Sequence, residues 1–252
     1  MLIHGFHAVL ARLRRAPQGV RELYVDAART DARVRELVKA ADAAGLRAHF
    51  VDGARIAKLC PGRRHQGVVA IVDFAPPTLS LEDLLDSLRE PATLLLLDGV
   101  TDPRNLGACL RVADGAGAAA VIAPKDHACA LTEAAVQTAS GAAESVPYIM
   151  VTNLARAMDT IRERDVWLIG ADDAAPVSLY DEALPASVAW VLGAEGTGMR
   201  RLTRERCDAL VRIPMAGQVG SLNVSVAAGV VLYESMRQRL QRERAQPARS
   251  AS

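Results

Sequence analysis

Six short apolar runs recur through the last two-thirds of the chain, with helix-like segments between them. They are TLLLLD (93–98), AAVIA (119–123), VPYIM (146–150), VWLIG (166–170), VAWVLG (188–193) and ALVRIP (209–214). Runs that are apolar throughout, rather than at alternate positions, are typical of strands buried on both faces of a parallel sheet. Strands that alternate with helices predict an α/β fold. A long last helix is predicted from about residue 222 to residue 243.

Polar residues occupy three segments that each begin on or just after one of these runs. Asn105 and Arg111 lie in DGVTDPRNLGACLR (98–111), Glu195 in VLGAEGTGMRRL (191–202), and Ser221 and Asn223 in IPMAGQVGSLNVSVA (213–227). Open α/β sheets bind ligands in the crevice beyond the carboxyl ends of their strands. We therefore predict that the three segments form one composite site.

Each of these residues also has a plain structural interpretation. Ser221 is a natural N-cap for the last helix, and Asn105 lies near a predicted helix start, where it could serve as a cap. Arg111 is six residues further along that helix, nearly two turns, so both side chains are expected to approach one site. Alternatively, Arg111 is a surface arginine and Glu195 a solvated glutamate. As part of a site, Glu195 would accept hydrogen bonds from Asn223, Arg111 or loop amides.

The glycines argue against a dinucleotide site. That site needs GxGxxG after the first strand of the domain, whereas Gly99 and Gly107 here are eight residues apart. The later GAEGTG (193–198) lacks the Lys-Ser/Thr of a phosphate-binding P-loop. It is either a tight turn that needs positive φ or a point where the backbone approaches a ligand closely.

The front of the chain differs from the rest in charge. Residues 1–77 carry 13 lysines and arginines against seven acidic residues, whereas residues 78–252 carry 17 against 22. A basic front half indicates a polyanionic partner, with an ordinary solvated surface as the alternative. Predicted helices near 4–15, 31–44 and 53–59 alternate with strands at 21–25, 47–51 and 67–72. This pattern indicates a small α/β domain, followed by a linker at 73–80, where two prolines break regular structure.

Composition narrows the cellular setting. No run approaches the roughly 18 apolar residues of a membrane helix. In the first residues, MLIHGFHAVLARLRR, the charges follow the apolar part, the reverse of a secretory signal. Cys60, Cys109, Cys129 and Cys207 form no CxxC pair, which favours a cytoplasmic protein with reduced thiols and no metal site.

At the three polar segments the chain resembles the SpoU/TrmH branch of the SPOUT RNA methyltransferases. NLGACLR (105–111), LGAEGTGM (192–199) and IPMAGQVGSLNVSVA (213–227) correspond to motifs one, two and three of that family. RHQGVVA (64–70), GAAESVPYIMVTNLARAM (141–158) and RRLTRERCD (200–208) are similar to its bacterial 23S rRNA guanosine-2′-O-methyltransferases. The resemblance covers nearly all of residues 3–240. Gly220, where many relatives carry Ser, is a small departure.

This resemblance implies a domain plan. A catalytic α/β domain with a parallel sheet and a C-terminal trefoil knot would span residues 91–244. An RNA substrate-binding domain like ribosomal protein L30e would span residues 1–75, with a linker and first helix at 76–90 and a disordered tail at 245–252. The resemblance also implies a homodimer with the site near the subunit interface, S-adenosylmethionine as methyl donor, and no metal.

The resemblance further implies a role for each candidate. Arg111 and Asn105 would face the ribose, with Glu195, Ser221 and Asn223 as the supporting network. An arginine pKa above about 12 makes proton loss difficult, so we predict that Arg111 holds a phosphate and stabilises the forming alkoxide. Cofactor contacts are expected from Gly193, Ile213, Leu222, Leu192, Met215 and Asn223, mainly through the backbone. RNA phosphate contacts are expected from Arg12, Arg14, Arg15, Arg63 and Arg64.

The function implied is S-adenosylmethionine-dependent 2′-O-methylation of a guanosine in the peptidyl-transferase region of 23S rRNA. One alternative is the same reaction on tRNA or on another rRNA nucleotide. The alternative from another class is a catalytically silent RNA-binding protein that acts in ribosome assembly.

Overall fold

Two separate sheets organise the chain, one in each of the units Met1–Ala75 and Pro76–Ser252. The computed structural model describes residues 1–62, 65–74, 76–89 and 91–245. The predicted tail beyond Ala245 lies outside these residues. No helix in the described ranges combines the length and apolarity needed to cross a bilayer.

The first unit is built on a mixed four-stranded sheet of order β1-β4-β2-β3. Its elements are β1 (Leu2–His4), α1 (Phe6–Arg15), β2 (Val20–Asp26), α2 (Ala32–Ala43), β3 (Ala48–Val51), α3 (Gly53–Leu59) and β4 (Val68–Val72). β2 pairs in parallel with β3, and β4 runs antiparallel to both β1 and β2. The predicted α/β alternation is confirmed. The sequence did not indicate β1, because three residues are too few for a period-2 pattern to appear.

Arg12 lies inside this unit rather than on its surface. On α1 it shares the buried face with Val9 and Leu13, is only 7% exposed, and donates from Nη2 to the carbonyl oxygen of Asp73 at 2.7 Å. A guanidinium in this position is not open to RNA phosphate. We therefore leave Arg12 out of the RNA contacts proposed below.

The second unit carries a parallel seven-stranded sheet of order β7-β6-β5-β10-β8-β11-β9. Its strands are β5 (Thr93–Asp98), β6 (Ala120–Pro124), β7 (Tyr148–Val151), β8 (Trp167–Ala171), β9 (Val177–Ser178), β10 (Val188–Gly193) and β11 (Ala209–Arg212). Its helices are α4 (Leu81–Ser87), α5 (Pro103–Ala116), α6 (Glu133–Ala139), α7 (Leu154–Arg162), α8 (Arg201–Glu205) and α9 (Val224–Ala245).

The six apolar runs form six of these strands, which confirms the predicted parallel sheet. Every residue of β5 and of β6 is buried, as expected for strands covered on both faces. Only the two-residue β9 was not predicted. The trefoil knot and the likeness to L30e stay predictions.

The order of the sheet places a crevice beside β5. The chain adds β6 and β7 on one side of β5, and it adds β10, β8 and β11 on the other. Parallel strands that run outward in both directions from one strand leave an opening at their carboxyl ends. The segments that follow β5, β8, β10 and β11 all emerge at this edge.

The N-terminal caps of α5 and α9 differ from those that the sequence suggests. Asp102 caps α5 by accepting the backbone N–H of Arg104 at 2.8 Å, so Asn105 is not needed as a cap. At the start of α9 the oxygen Oδ1 of Asn223 accepts the N–H of Ser225 at 2.9 Å. The cap of the last helix is therefore Asn223 and not Ser221, because the helix begins two residues later than predicted.

Close packing of α5 against α6 requires a glycine. A Cβ on Gly107 would lie 2.3 Å from the carbonyl oxygen of Ala135 and 2.6 Å from Cβ of Thr138. On α9, by contrast, a Cβ on Gly229 would meet only Cγ1 of Val112, at 3.8 Å.

We expect Gly107→Ala to lower the free energy of unfolding by about 1–3 kcal/mol, since overpacking forces the two helices apart. The matched variant Gly229→Ala should raise it by about 0.5–1 kcal/mol, because alanine costs less backbone entropy in a helix. Chemical unfolding of the full chain followed by circular dichroism measures both. Equal effects of the two variants would contradict this account of the packing.

Candidate functional site

The carboxylate of Glu195 joins three segments that are far apart in the sequence. Its Oε1 accepts Nδ2 of Asn105 at 3.0 Å, Nδ2 of Asn223, and the backbone N–H of Val224 at 3.4 Å. Nδ2 of Asn223 also donates to Oδ1 of Asn105 at 3.0 Å. The segments after β5, β10 and β11 therefore meet at one point, as a composite site requires.

The turn that carries Glu195 requires glycine for two different physical reasons. Gly196 and Gly198 have φ of 79° and 67°, so they match the tight-turn interpretation. Gly193 is different, because a Cβ there would lie 2.1 Å from the carbonyl carbon of Gly198 and 2.2 Å from the nitrogen of Met199. At Gly193 the backbone approaches its own loop, which folds back over the end of β10.

A cavity of about 350 Å³ opens beside Glu195. Five residues predicted to contact the cofactor line it, namely Leu192, Gly193, Ile213, Met215 and Leu222. Glu195 and Ser221 line it as well, together with Asp172, Asp173 and Met199. Asn223 was also predicted as a cofactor contact, but it is not among the lining residues and contacts Glu195 instead.

The residues of this cavity fit a nucleotide-sized ligand. Its volume falls in the usual range for small-molecule sites, roughly 300–1,000 Å³. Within the described residues, the main chain of residues 213–222 makes no backbone hydrogen bond, so its N–H and C=O groups are available to a ligand. Apolar walls from Leu192 and Met215 and a polar main chain can together bind a flat heterocycle.

Arg111 lies outside the Glu195 network. Its side chain is exposed, and among the described residues it makes no hydrogen bond or ion pair. Six residues along a helix place two side chains roughly 120° apart around the axis. This offset explains why Asn105 reaches Glu195 and Arg111 does not. That Arg111 approaches the same site stays a prediction.

The remaining predicted contacts lie in the first unit. Arg14 and Arg15 are exposed, and Arg14 pairs with Glu36 at 2.6 Å. Arg63 and Arg64 lie outside the described residues. In the ranges that are described, no group of three or more potential ligands could hold a metal ion.

Sequence reasoning missed Asp98, the last residue of β5. Its side chain is fully buried and forms an ion pair with Arg200, 2.6 Å from Oδ1 to Nη2. A signal was present, because an acidic residue closes an otherwise apolar run. Buried carboxylates are rare unless they are paired.

Glu195 also influences a thiol beneath it. Burial raises the pKa of the Cys109 thiol to about 12, and the negative charge of Glu195 contributes in the same direction. Burial likewise raises the pKa of Cys207 to about 12. Both are free thiols.

Known proteins match both units. A sequence model of the SpoU rRNA methylase family matches residues 92–233, and one described as RNA 2′-O ribose methyltransferase substrate binding matches residues 2–78. The chain is 56% identical, over 94% of its length and 97% of the relative's, to the 23S rRNA (guanosine-2′-O-)-methyltransferase RlmB of Bordetella pertussis.

Solved structures resemble this chain over most of its length. One is the crystal structure of an RNA 2′-O ribose methyltransferase, with TM-score 0.77, 28% identity, and coverage of 95% of this chain and 89% of that one. Another is the SpoU methyltransferase AviRb from Streptomyces viridochromogenes in complex with AdoMet, with TM-score 0.73, 27% identity, and coverage of 96% and 91%.

The fold and the site define a two-unit α/β enzyme of the RNA methyltransferase class. Within that class, the chain belongs to the SpoU rRNA methylase family.

We expect Cys109 and Cys207 to resist alkylation in the native protein. At pH 8 a pKa of about 12 leaves the thiolate fraction about three orders of magnitude below that of an ordinary cysteine. Iodoacetamide labelling followed by peptide mass spectrometry, with the same protein in urea as control, measures this. Fast native labelling of either cysteine would contradict this expectation.

Proposed function

We propose that this chain transfers a methyl group from S-adenosylmethionine to the ribose 2′-oxygen of a guanosine in the peptidyl-transferase region of 23S rRNA. The observation that carries the proposal is the Asn105–Glu195–Asn223 network at the edge of the cavity. Family membership and 56% identity to an RlmB support the 23S guanosine. A silent RNA-binding protein would not need these polar side chains held together.

The cavity would hold the cofactor. Leu192, Met215 and Met199 would contact the apolar parts of the cofactor. Main-chain groups at Ile213 and Leu222 would bind its adenine base. When bound, S-adenosylmethionine supplies an electrophilic methyl carbon, so the protein mainly binds and orients. Glu195, fixed by two amides, would keep one edge of the cavity polar where the ribose enters.

Arg111 would act on the RNA side of the site. Its exposed guanidinium is available to hold the phosphate next to the target ribose and to stabilise negative charge that develops on the 2′-oxygen. Asn105, six residues earlier on α5, would orient Glu195 toward the ribose.

The first unit would bind the rRNA around the target. Arg14 and Arg15 are exposed on α1, and the net charge of residues 1–77 is +6. Arg63 and Arg64 belong to the same proposal from the sequence alone. We also propose that the enzyme is a cytoplasmic homodimer with its site near the subunit interface, as the family resemblance implies.

Mapping of 2′-O-methyl groups tests the proposed substrate. In a strain that lacks this chain, mass spectrometry of 23S rRNA should find one guanosine in the peptidyl-transferase region without its methyl group, restored by complementation. An unchanged 23S rRNA with a methyl group missing from tRNA would favour the tRNA alternative. Calorimetry with S-adenosylmethionine addresses the silent alternative, which predicts no binding.

Arg111→Ala should lower kcat for RNA methylation by about 100- to 1,000-fold, the usual cost of losing a donor that stabilises a developing oxyanion. Calorimetric affinity for S-adenosylmethionine should be unchanged, because Arg111 does not line the cavity. Arg164→Ala is the matched control. Arg164 lies just before β8, at the opposite edge of the sheet, where it is exposed and pairs with Asp86. Normal turnover of Arg111→Ala would eliminate this role.

A further inference from the structure

A buried acidic side chain beside the site takes no part in the chemistry described above. Asp98 accepts the backbone N–H of Arg200 on Oδ2 at 2.8 Å and Nε of Arg200 on Oδ1 at 2.6 Å. Its side chain is 0% exposed, whereas that of Arg200 is 50% exposed. The carboxylate thus fixes both the main chain and the side chain of one residue.

Arg200 ends the loop that carries Glu195. At the other end of this loop, Ala194 and Gly198 exchange backbone hydrogen bonds of 3.2 and 2.9 Å, directly after β10. Residues 194–199 are therefore held at one end by β10 and at the other end by Asp98. Both Glu195 and Met199, which line the cofactor cavity, lie between these two anchors.

We propose that Asp98 is a positioning residue for methyl transfer, which acts by holding Arg200 and thereby places Glu195 against Asn105 and Asn223. This inference rests on the proposed function. Asp98 contacts neither the cavity nor the Glu195 network among the described residues, so its effect must pass through the loop.

The geometry requires a carboxylate at this position. Both carboxylate oxygens of Asp98 accept an N–H group of Arg200, Oδ2 from the main chain and Oδ1 from the side chain. An asparagine would place an NH₂ group against one of these donors, because it has only one acceptor oxygen. Asp98→Asn keeps the shape of the side chain but should release either the main chain or the guanidinium of Arg200.

The test measures steady-state methylation by the full chain carrying Asp98→Asn. We expect kcat to fall by about 10- to 100-fold, as for a displacement of around 1 Å at a reacting centre, with the KM for RNA unchanged. The S-adenosylmethionine affinity measured by calorimetry should weaken, because the loop forms one side of the cavity.

A double-mutant cycle with Glu195→Gln separates positioning from a general loss of stability. If Asp98 acts through Glu195, then Asp98→Asn should lower kcat much less in the Glu195→Gln background than in the wild type. Effects that multiply in full would overturn the proposal.

Two control variants have matched chemistry. Asp208 also accepts one main-chain N–H and one arginine Nε, from Leu168 at 2.8 Å and from Arg162 at 2.9 Å, at the amino edge of the sheet. Asp208→Asn should therefore leave kcat near the wild-type value. Arg201 lies next to Arg200 but pairs with Glu205. Arg201→Gln tests whether loss of any positive charge near Arg200 lowers kcat, and it should have little effect.

Arg200 variants keep the test informative if Asp98→Asn fails to fold. Both variants keep the main-chain N–H that Asp98 accepts. Arg200→Lys also retains a cation and should keep most of the activity, whereas Arg200→Gln removes the charge that offsets the buried carboxylate and should lose it. Equal kcat for these two variants would contradict the proposal. A wild-type chain that neither binds S-adenosylmethionine nor methylates RNA would instead remove the proposed function.

Discussion

Parallel pairing of β5 with β10 runs in register from Thr93 opposite Val188 to Asp98 opposite Gly193. The two strands end at the same level, so the chain leaves the sheet at two adjacent points. One exit leads to α5 with Asn105, and the other leads to the loop with Glu195. A slip of one residue would turn the side chains of β5 to the opposite face and remove Asp98 from Arg200. The register of this strand pair therefore determines how the segments that carry Asn105 and Glu195 meet.

The hydrogen bonds of Glu195 do not themselves hold the site together. Glu195 and Asn223 are exposed, and a hydrogen bond that competes with water contributes only about 0.5–1.5 kcal/mol. The fixed parts are the tight approach of Gly193 to the loop, the buried and paired Asp98, and the capped start of α9. The surrounding backbone consequently positions the exposed amides and carboxylate, which remain accessible to a substrate.

Local patterns in the sequence predict most of the second sheet, because a continuous apolar run indicates a buried strand without information from distant residues. They failed for β1 and β9, which are too short to carry a pattern. A count of charges places Arg12 on the surface with its neighbours, because such a count takes no account of helical phase. Its spacing from Val9 and Leu13 places it on the buried face of α1.

The site itself was predictable only in outline. The rule for strand ends placed Asn105, Glu195 and Asn223 at one edge, but contacts between residues 90 and 118 positions apart do not follow from local periodicity. The proposed cofactor contacts of Ile213 and Leu222 follow from the family resemblance alone. Their side chains look like ordinary core residues, since the main chain would make the contacts.

Charge is divided between the two sides of the proposed site. The described lining of the cavity carries the carboxylates of Asp172, Asp173 and Glu195 and no lysine, arginine or histidine, and of these Asp172 pairs with Arg204 outside the lining. Such a cavity suits a positively charged sulfonium and repels RNA phosphates. Arg111, by contrast, is exposed and lies outside this lining, where a phosphate would be attracted. Since the two proposed substrates differ in charge, this separation would direct each of them to its own side before any specific contact forms.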